Sequence, residues 1–227
     1  MKAPYRRCST DFRHASPPLE VYTLMTSITP RPYWYLRHGQ TDWNLQGLAQ
    51  GHTDIPLNAT GLAQAESAGA FLATLFDDGK RPFDHIVASP LSRAFTTAEY
   101  AQKAIFKRHG ITLPLSADPG FKEVCFGILE GKELGDWYEP WIYKGYKPEG
   151  AESFADLTKR SVAATNRALE TGTPLIVAHG ALYRGLRAGM GLDINVRIPN
   201  ATPMHITPTD NTWDVTVFSV HKATTPT

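Results

Sequence analysis

Three short apolar runs, each ending abruptly in polar residues, constrain this chain more than any other feature. Tyr33, Trp34, Tyr35 and Leu36 run into Arg37-His38-Gly39; Ile86, Val87 and Ala88 run into Ser89-Pro90; and Leu175, Ile176, Val177 and Ala178 run into His179-Gly180. Apolar runs this short, without polar alternation, belong to strands buried on both faces. Helical periodicity lies between them. Leu62, Ala65, Ala68, Phe71, Leu72 and Leu75 follow the cap residues Asn58 and Thr60. A helix is expected from about 91 to 109 with Gly110 as its stop, and Phe154, Leu157, Val162, Ala163 and Leu169 precede Gly172. A further helix is expected after Gly180, a weak strand at 113–115, and a late edge strand over 212–221. Strands alternating with helices predict an α/β fold with a mostly parallel sheet and helices on both faces.

The chain of 227 residues has the length of one such domain. Residues 1–30 lack periodicity and scatter Pro4, Pro17, Pro18 and Pro30 among polar residues, so they are expected to form a poorly ordered extension, with the domain proper spanning 31–227. Met25, close to the first strand, is a second candidate for the start of translation. Lys and Arg number 23 against 22 Asp and Glu, a balance that gives no reason to expect nucleic acid or an anionic membrane as partner. Two cysteines, Cys8 and Cys125, exclude a disulfide framework and favour a reducing, cytoplasmic setting. No apolar run approaches the roughly 20 residues of a membrane span.

In a sheet of this kind, ligands bind outside the carboxyl ends of the strands. The first strand brings Arg37 and His38 there, the second leads through Ser89-Pro90 to Arg93, and the third brings His179-Gly180. Guanidinium forks match phosphate oxygens bidentately, and glycines and helix N-termini offer backbone donors to an anion. The set predicts a site for a phosphoryl dianion. A neutral imidazole there can attack phosphorus and split one hard step into two. The leaving alkoxide needs a proton, for which Glu123 is the candidate and Glu130 a rival. The remaining histidines lack metal-ligand spacing, and neither a metal nor another cofactor is expected.

These residues carry a family resemblance. Leu36-Arg37-His38-Gly39-Gln40-Thr41-Asp42-Trp43-Asn44 resembles the signature of the histidine phosphatase superfamily, the phosphoglycerate-mutase-like clan. The likeness continues through Gln50-Gly51-His52-Thr53-Asp54, Thr60-Gly61-Leu62, Ser89-Pro90-Leu91-Ser92-Arg93-Ala94, the segment from Glu123 to Gly131, Gly150-Ala151-Glu152-Ser153 and Val177-Ala178-His179-Gly180. It implies a three-layer α/β/α sandwich with a mostly parallel sheet and an antiparallel edge strand. It also implies His38 as the phosphorylated histidine, Arg37, Asn44, Arg93 and the Gly180 amide as phosphate ligands, Glu123 as proton donor and His179 as the second histidine.

The expected activity is metal-independent hydrolysis of a small phosphate monoester through a phosphohistidine. Phosphoglycerate mutase is the alternative. Val124 and Cys125 follow Glu123 where mutases carry a basic and polar run, and the stretch from Glu123 to His179 is short for one. A noncatalytic phospho-ligand module is a second alternative, which would need a lost nucleophile or acid. The stretch holding Trp137, Tyr138, Trp141, Tyr143 and Tyr146 is expected to make a poor helix and a lid. Trp137, Tyr138 and Trp141 are its candidates for contact with the organic part of a substrate.

Overall fold

A six-stranded sheet in the order β3-β2-β4-β1-β5-β6 organises the chain. A computed structural model describes residues 27–220; residues 1–26 and 221–227 lie outside the described residues, and with them most of the expected N-terminal extension. The strands are β1 (Tyr33–Arg37), β2 (His85–Ala88), β3 (Leu115–Ala117), β4 (Pro174–Ala178), β5 (Pro203–Pro208) and β6 (Trp213–Val217). The helices are α1 (Asp42–Gln46), α2 (Ala59–Thr74), α3 (Ser92–His109), α4 (Tyr138–Tyr143), α5 (Phe154–Glu170) and α6 (Gly180–Gly189). β3, β2, β4 and β1 are mutually parallel, whereas β5 pairs antiparallel with β1, and the edge strand β6 antiparallel with β5.

The pleat of β1 divides the core. Tyr33 and Tyr35 face one layer with Ile176 and Ala178 of β4, against Leu157, Val162 and Leu169 of α5 and Leu182, Tyr183 and Leu186 of α6. Trp34 and Leu36 face the other, against Ala68 and Leu72 of α2 and Ala98, Ala101 and Ile105 of α3. This is the three-layer α/β/α sandwich. Central strands covered on both faces explain why their sequences run apolar without alternation.

The sheet also fixes where a ligand can sit. β1 and β4 are neighbours, yet the chain leaving β1 goes to α2 on one face and the chain leaving β4 goes to α6 on the other. A crevice opens between strands whose connections diverge in this way. Close packing at its floor depends on two glycines. A Cβ on Gly39 would lie 2.4 Å from the Gly61 carbonyl oxygen, and one on Gly61 would lie 2.0 Å from that of Gln40. The end of β1 and the start of α2 approach backbone to backbone.

Three elements differ from the sequence expectation. β3 begins at Leu115, because Pro114 has no N–H for the ladder; its carbonyl still accepts from Ile86 N at 2.8 Å. β5 was not signalled: its alternation of Met204 and Ile206 inward with His205 and Thr207 is framed by Pro203 and Pro208. Residues 138–143 form a helix despite Pro140, which sits in the first turn where its missing N–H removes no intrahelical bond. Near the expected boundary at residue 30, Ile28 is buried, Thr29 N donates to Asn166 Oδ1 at 2.8 Å and Asn166 Nδ2 to Ser27 O at 3.1 Å, so this short stretch lies along α5. Among the described residues, no helix is long and apolar enough to cross a membrane.

Candidate active site

The strand register assembles the site. Arg37 pairs with Ala178, and Ala88 with Val177, so the next residues of the three strands, His38, His179 and Ser89, emerge together at the carboxyl edge. His38 N donates to Ala178 O and Ser89 N to Val177 O, both at 3.0 Å, extending the ladders into the site. The rings of His38 and His179 stand edge to face with centroids 5.1 Å apart.

The proton on His38 is placed by its partner. Nδ1 lies 2.7 Å from Gly39 O, and a carbonyl only accepts, so Nδ1 carries the hydrogen. Burial first, then the charges of Arg93 and Arg37, hold the His38 pKa well below its ordinary value. The ring is therefore neutral near pH 7, and Nε2 keeps a lone pair. His179 is held low by the same causes: burial, then Arg93, His38 and Arg37.

Arg93 is fully buried; its Nη1 donates to Thr53 O at 2.9 Å and its Nη2 to Gly51 O at 2.8 Å. Asp54 sets the start of its helix, accepting from both the backbone N and the hydroxyl of Ser92 at 2.8 Å. Arg37 donates through Nη1 to Ile198 O at 2.5 Å. Burial works against both guanidinium charges, and Glu123 is the largest opposing charge for each. Three buried side-chain nitrogens here have no protein partner: Arg37 Nε, Arg93 Nε and His179 Nδ1. Buried polar atoms are seldom left so, and two cationic donors beside two neutral imidazoles suit an anion.

Glu123 sits at the N-terminus of α6. Its Oε1 accepts from Leu182 N at 2.8 Å and Val124 N at 3.0 Å, and its Oε2 from Ala181 N at 3.0 Å. The rival Glu130 is committed elsewhere: it accepts from the backbone N of His52 and Thr53 at 2.9 Å and of Phe126 at 3.2 Å, so it joins two loops. Gly180 opens α6, and its Cβ position would lie 3.5 Å from Arg37 Nε. Asn44 is part of a capping box with Thr41 at the start of α1; its Oδ1 accepts from Thr41 N and Asn200 Nδ2, which leaves Nδ2 as its donor for a ligand. The Gly39 amide, by contrast, is not offered to an anion, because it donates to Thr97 Oγ1 at 3.1 Å.

The aromatic segment divides. Trp141 is fully buried, donates Nε1 to Glu152 O at 2.9 Å and packs on Phe126 and Phe154, so it is core and does not face a pocket. Trp137 is half-buried, with Nε1 on Glu133 O at 3.0 Å. Tyr138 packs on Phe126, Trp137 and Trp141; burial pushes its hydroxyl up to about 12, and Arg184, Glu123 and Arg37 are the charges it feels.

Two contributors carried no local signal. Asn200 Nδ2 donates to His38 O at 3.0 Å and Asn44 Oδ1 at 3.1 Å, and Ala201 N donates to Arg37 O at 3.0 Å, so a late loop clamps the end of β1. Arg160 of α5 pairs with both Glu152 oxygens and donates to the carbonyls of Gly120, Lys122 and Glu123, which holds the Glu123 segment. Among the described residues, no group of three or more His, Cys, Asp or Glu side chains is placed to hold a metal ion.

Fold and site together define an α/β protein with two buried histidines and a buried arginine gathered at the switch point of its sheet. The chain belongs to the histidine phosphatase superfamily (branch 1), whose model matches residues 33–221. It is 35% identical over 193 residues to the Uncharacterized phosphatase PhoE of Bacillus subtilis (strain 168), covering 82% of this chain and 93% of that protein. It is 32% identical over 160 residues to the Probable phosphoglycerate mutase GpmB of Proteus mirabilis (strain HI4320), covering 65% of this chain and 68% of that one. Among solved structures it is similar to a mycobacterial glucosyl-3-phosphoglycerate phosphatase in complex with VO3, with a TM-score of 0.67 and 26% identity over 83% of this chain and 98% of that chain.

Proposed function

We propose that this chain hydrolyses phosphate monoesters through a phosphohistidine on His38. One observation carries the reading: His38 Nδ1–H is committed to Gly39 O, which leaves a neutral Nε2 lone pair beside the fully buried Arg93 and the half-buried Arg37. Nε2 attacks phosphorus, the ester P–O bond breaks, and Glu123 gives the leaving alkoxide a proton. Glu123, now a carboxylate, takes a proton from water, whose oxygen displaces Nε2 and releases inorganic phosphate. Arg37, Arg93, His179, Asn44 and the Gly180 amide hold the equatorial oxygens throughout. The positive charge in this scheme comes from the arginines and calls for no metal. The VO3 complex of the mycobacterial relative is in keeping with such an oxyanion site.

The mutase reading has a named relative in its favour, and the local chemistry against it. A mutase must retain a doubly phosphorylated intermediate, and Val124, fully buried beside Glu123, offers nothing to hold it.

The test is a hydrolysis screen over phosphate monoesters, with and without a bisphosphoglycerate primer, combined with rapid-quench labelling. Acid-labile, base-stable label is expected on the wild type and absent from His38→Ala, with phosphate released and no primer needed. Substantial turnover by His38→Ala would remove the mechanism, and primer-dependent isomerisation would favour the mutase.

A further inference from the structure

We infer that Ser89 is a positioning residue: its hydroxyl hydrogen, directed at His179 Nε2, fixes the ring proton of His179 on Nδ1, where it can be donated to a phosphoryl oxygen. The inference rests on the phosphohistidine reading for its catalytic meaning, though not for its geometry.

His179 is buried and, held neutral by burial and the neighbouring arginines, carries one ring hydrogen. Which nitrogen holds it decides what the ring can do. With the hydrogen on Nδ1, the ring is a donor toward the anion site; with the hydrogen on Nε2, it presents a lone pair to an incoming dianion and repels it.

Ser89 settles the choice. Its Oγ lies 2.8 Å from His179 Nε2 and accepts from Leu91 N at 3.3 Å. Ser89 is fully buried, so its own O–H must find an acceptor inside the protein. Among the described residues, His179 Nε2 is the acceptor within hydrogen-bond distance. The Nε2–H tautomer would aim a second N–H at the same oxygen and leave the hydroxyl hydrogen with no partner. The Nδ1–H tautomer satisfies Leu91 N, Ser89 Oγ and His179 Nε2 together. It also makes His179 Nδ1, buried and without a protein partner, a donor for the ligand. The backbone holds the pair in place: Ser89 N is tied to Val177 O, and His179 O accepts from Tyr35 OH at 2.6 Å. The two histidines thus carry the same tautomer through different devices, a carbonyl for His38 and a hydroxyl for His179.

The decisive measurement is the tautomer of His179 in the resting protein, read from two-bond 1H–15N correlations of histidine-labelled samples and assigned with His179→Asn. Wild type is expected to show Nδ1 protonated. Ser89→Ala should shift His179 toward the Nε2–H form and lower kcat by about tenfold or more, the scale of one lost oxyanion donor or somewhat below it. Ser89→Thr, which keeps the hydroxyl, should retain the Nδ1–H signature and most of the rate. A wild-type spectrum with Nε2 protonated, an unchanged tautomer in Ser89→Ala, or a changed tautomer with unchanged kcat would each overturn the inference. So would a Ser89→Thr protein that melts as the wild type but carries the other tautomer. Failure of the phosphohistidine reading is separate and shows as absent label on His38 in the wild type, whatever the spectrum of His179.

Discussion

Glu123 Oε1 accepts the backbone N–H of Leu182 at 2.8 Å, so the carboxyl assigned to proton transfer also caps the helix that begins beside His179. Its other oxygen accepts from Ala181 N at 3.0 Å, so the carboxyl supplies the side-chain cap that the N-cap residue His179 does not.

This dual role changes what Glu123→Gln measures. A carboxamide has one accepting oxygen, so its NH2 must face one of the N–H groups of Ala181, Leu182 or Val124. The variant should lose about 1–3 kcal/mol of stability, visible by calorimetry. Its activity on alkyl phosphates should fall about 10²-fold or more, and on aryl phosphates much less, because a good leaving group needs little protonation. Equal losses on both esters would mean that Glu123 acts through the position of α6 and gives no proton.

A second expectation concerns stability against pH. His38 and His179 have native pKa values well below the ordinary one, whereas in the unfolded chain they protonate near pH 6.5. Below that pH the unfolded state binds more protons, so stability falls as pH drops from about 6.5 toward the lowered native values. The slope can reach about 2.7 kcal/mol per pH unit for the pair, and His205, lowered by burial, adds in the same direction. Denaturation midpoints between pH 7.5 and 5 should show this loss, and a His38→Asn, His179→Asn double variant should flatten it. A wild-type curve already flat over that range would contradict the buried, neutral assignment.

The parts legible in the sequence were those written locally. Strands β1, β2 and β4 announce themselves because both faces are buried, and the polar residues that follow them sit together because parallel strands end at one edge. Arg93 and His179 follow from that logic, whereas Glu123 follows from the need for a proton donor and from the family resemblance. Asn200 follows from neither, since an asparagine in a late loop gives no sign that it reaches back to His38 O across 162 positions. Arg160 reads as a helix-face arginine until α5 is docked against the Glu123 segment. From the sequence Gly39 suggests an opening for an anion, but its missing Cβ makes room for Gly61 and its amide is taken by Thr97.

Arg160 supports a third expectation. It holds Glu123 through the carbonyls of Gly120, Lys122 and Glu123 and is itself held by a partly buried pair with Glu152. Arg160→Ala leaves those acceptors short of a donor and should cost about 1–3 kcal/mol. Because the displaced group is the proposed proton donor, kcat should drop more on alkyl than on aryl phosphates, as for Glu123→Gln. A drop of the same size on both would restrict Arg160 to a stabilising role.

The last expectation separates two aromatics three residues apart. Trp141 is core: it is fully buried, with its ring edge-on to Phe154 at 5.4 Å. Trp141→Ala should therefore cost about 3–5 kcal/mol of stability, while protein kept folded at low temperature retains its substrate preference. Tyr138 sits where the charges of Glu123 and Arg37 reach it, with the Arg184 guanidinium 5.6 Å from its ring centre. An aromatic face there favours a ring-bearing leaving group, since stacking adds roughly 0.5–1.5 kcal/mol beyond area burial. Wild type is expected to prefer aryl or nucleoside-like monophosphates over phosphoglycerates in kcat/KM. Tyr138→Ala should shrink that ratio about three- to tenfold, and Tyr138→Phe should preserve it, because the ring and not the hydroxyl carries the contact. The phosphohistidine label should form in both. A wild type that prefers phosphoglycerate would instead make Arg184, the cation beside this ring, the group that reads the substrate, and a ratio untouched by Tyr138→Ala would take Tyr138 out of the pocket altogether.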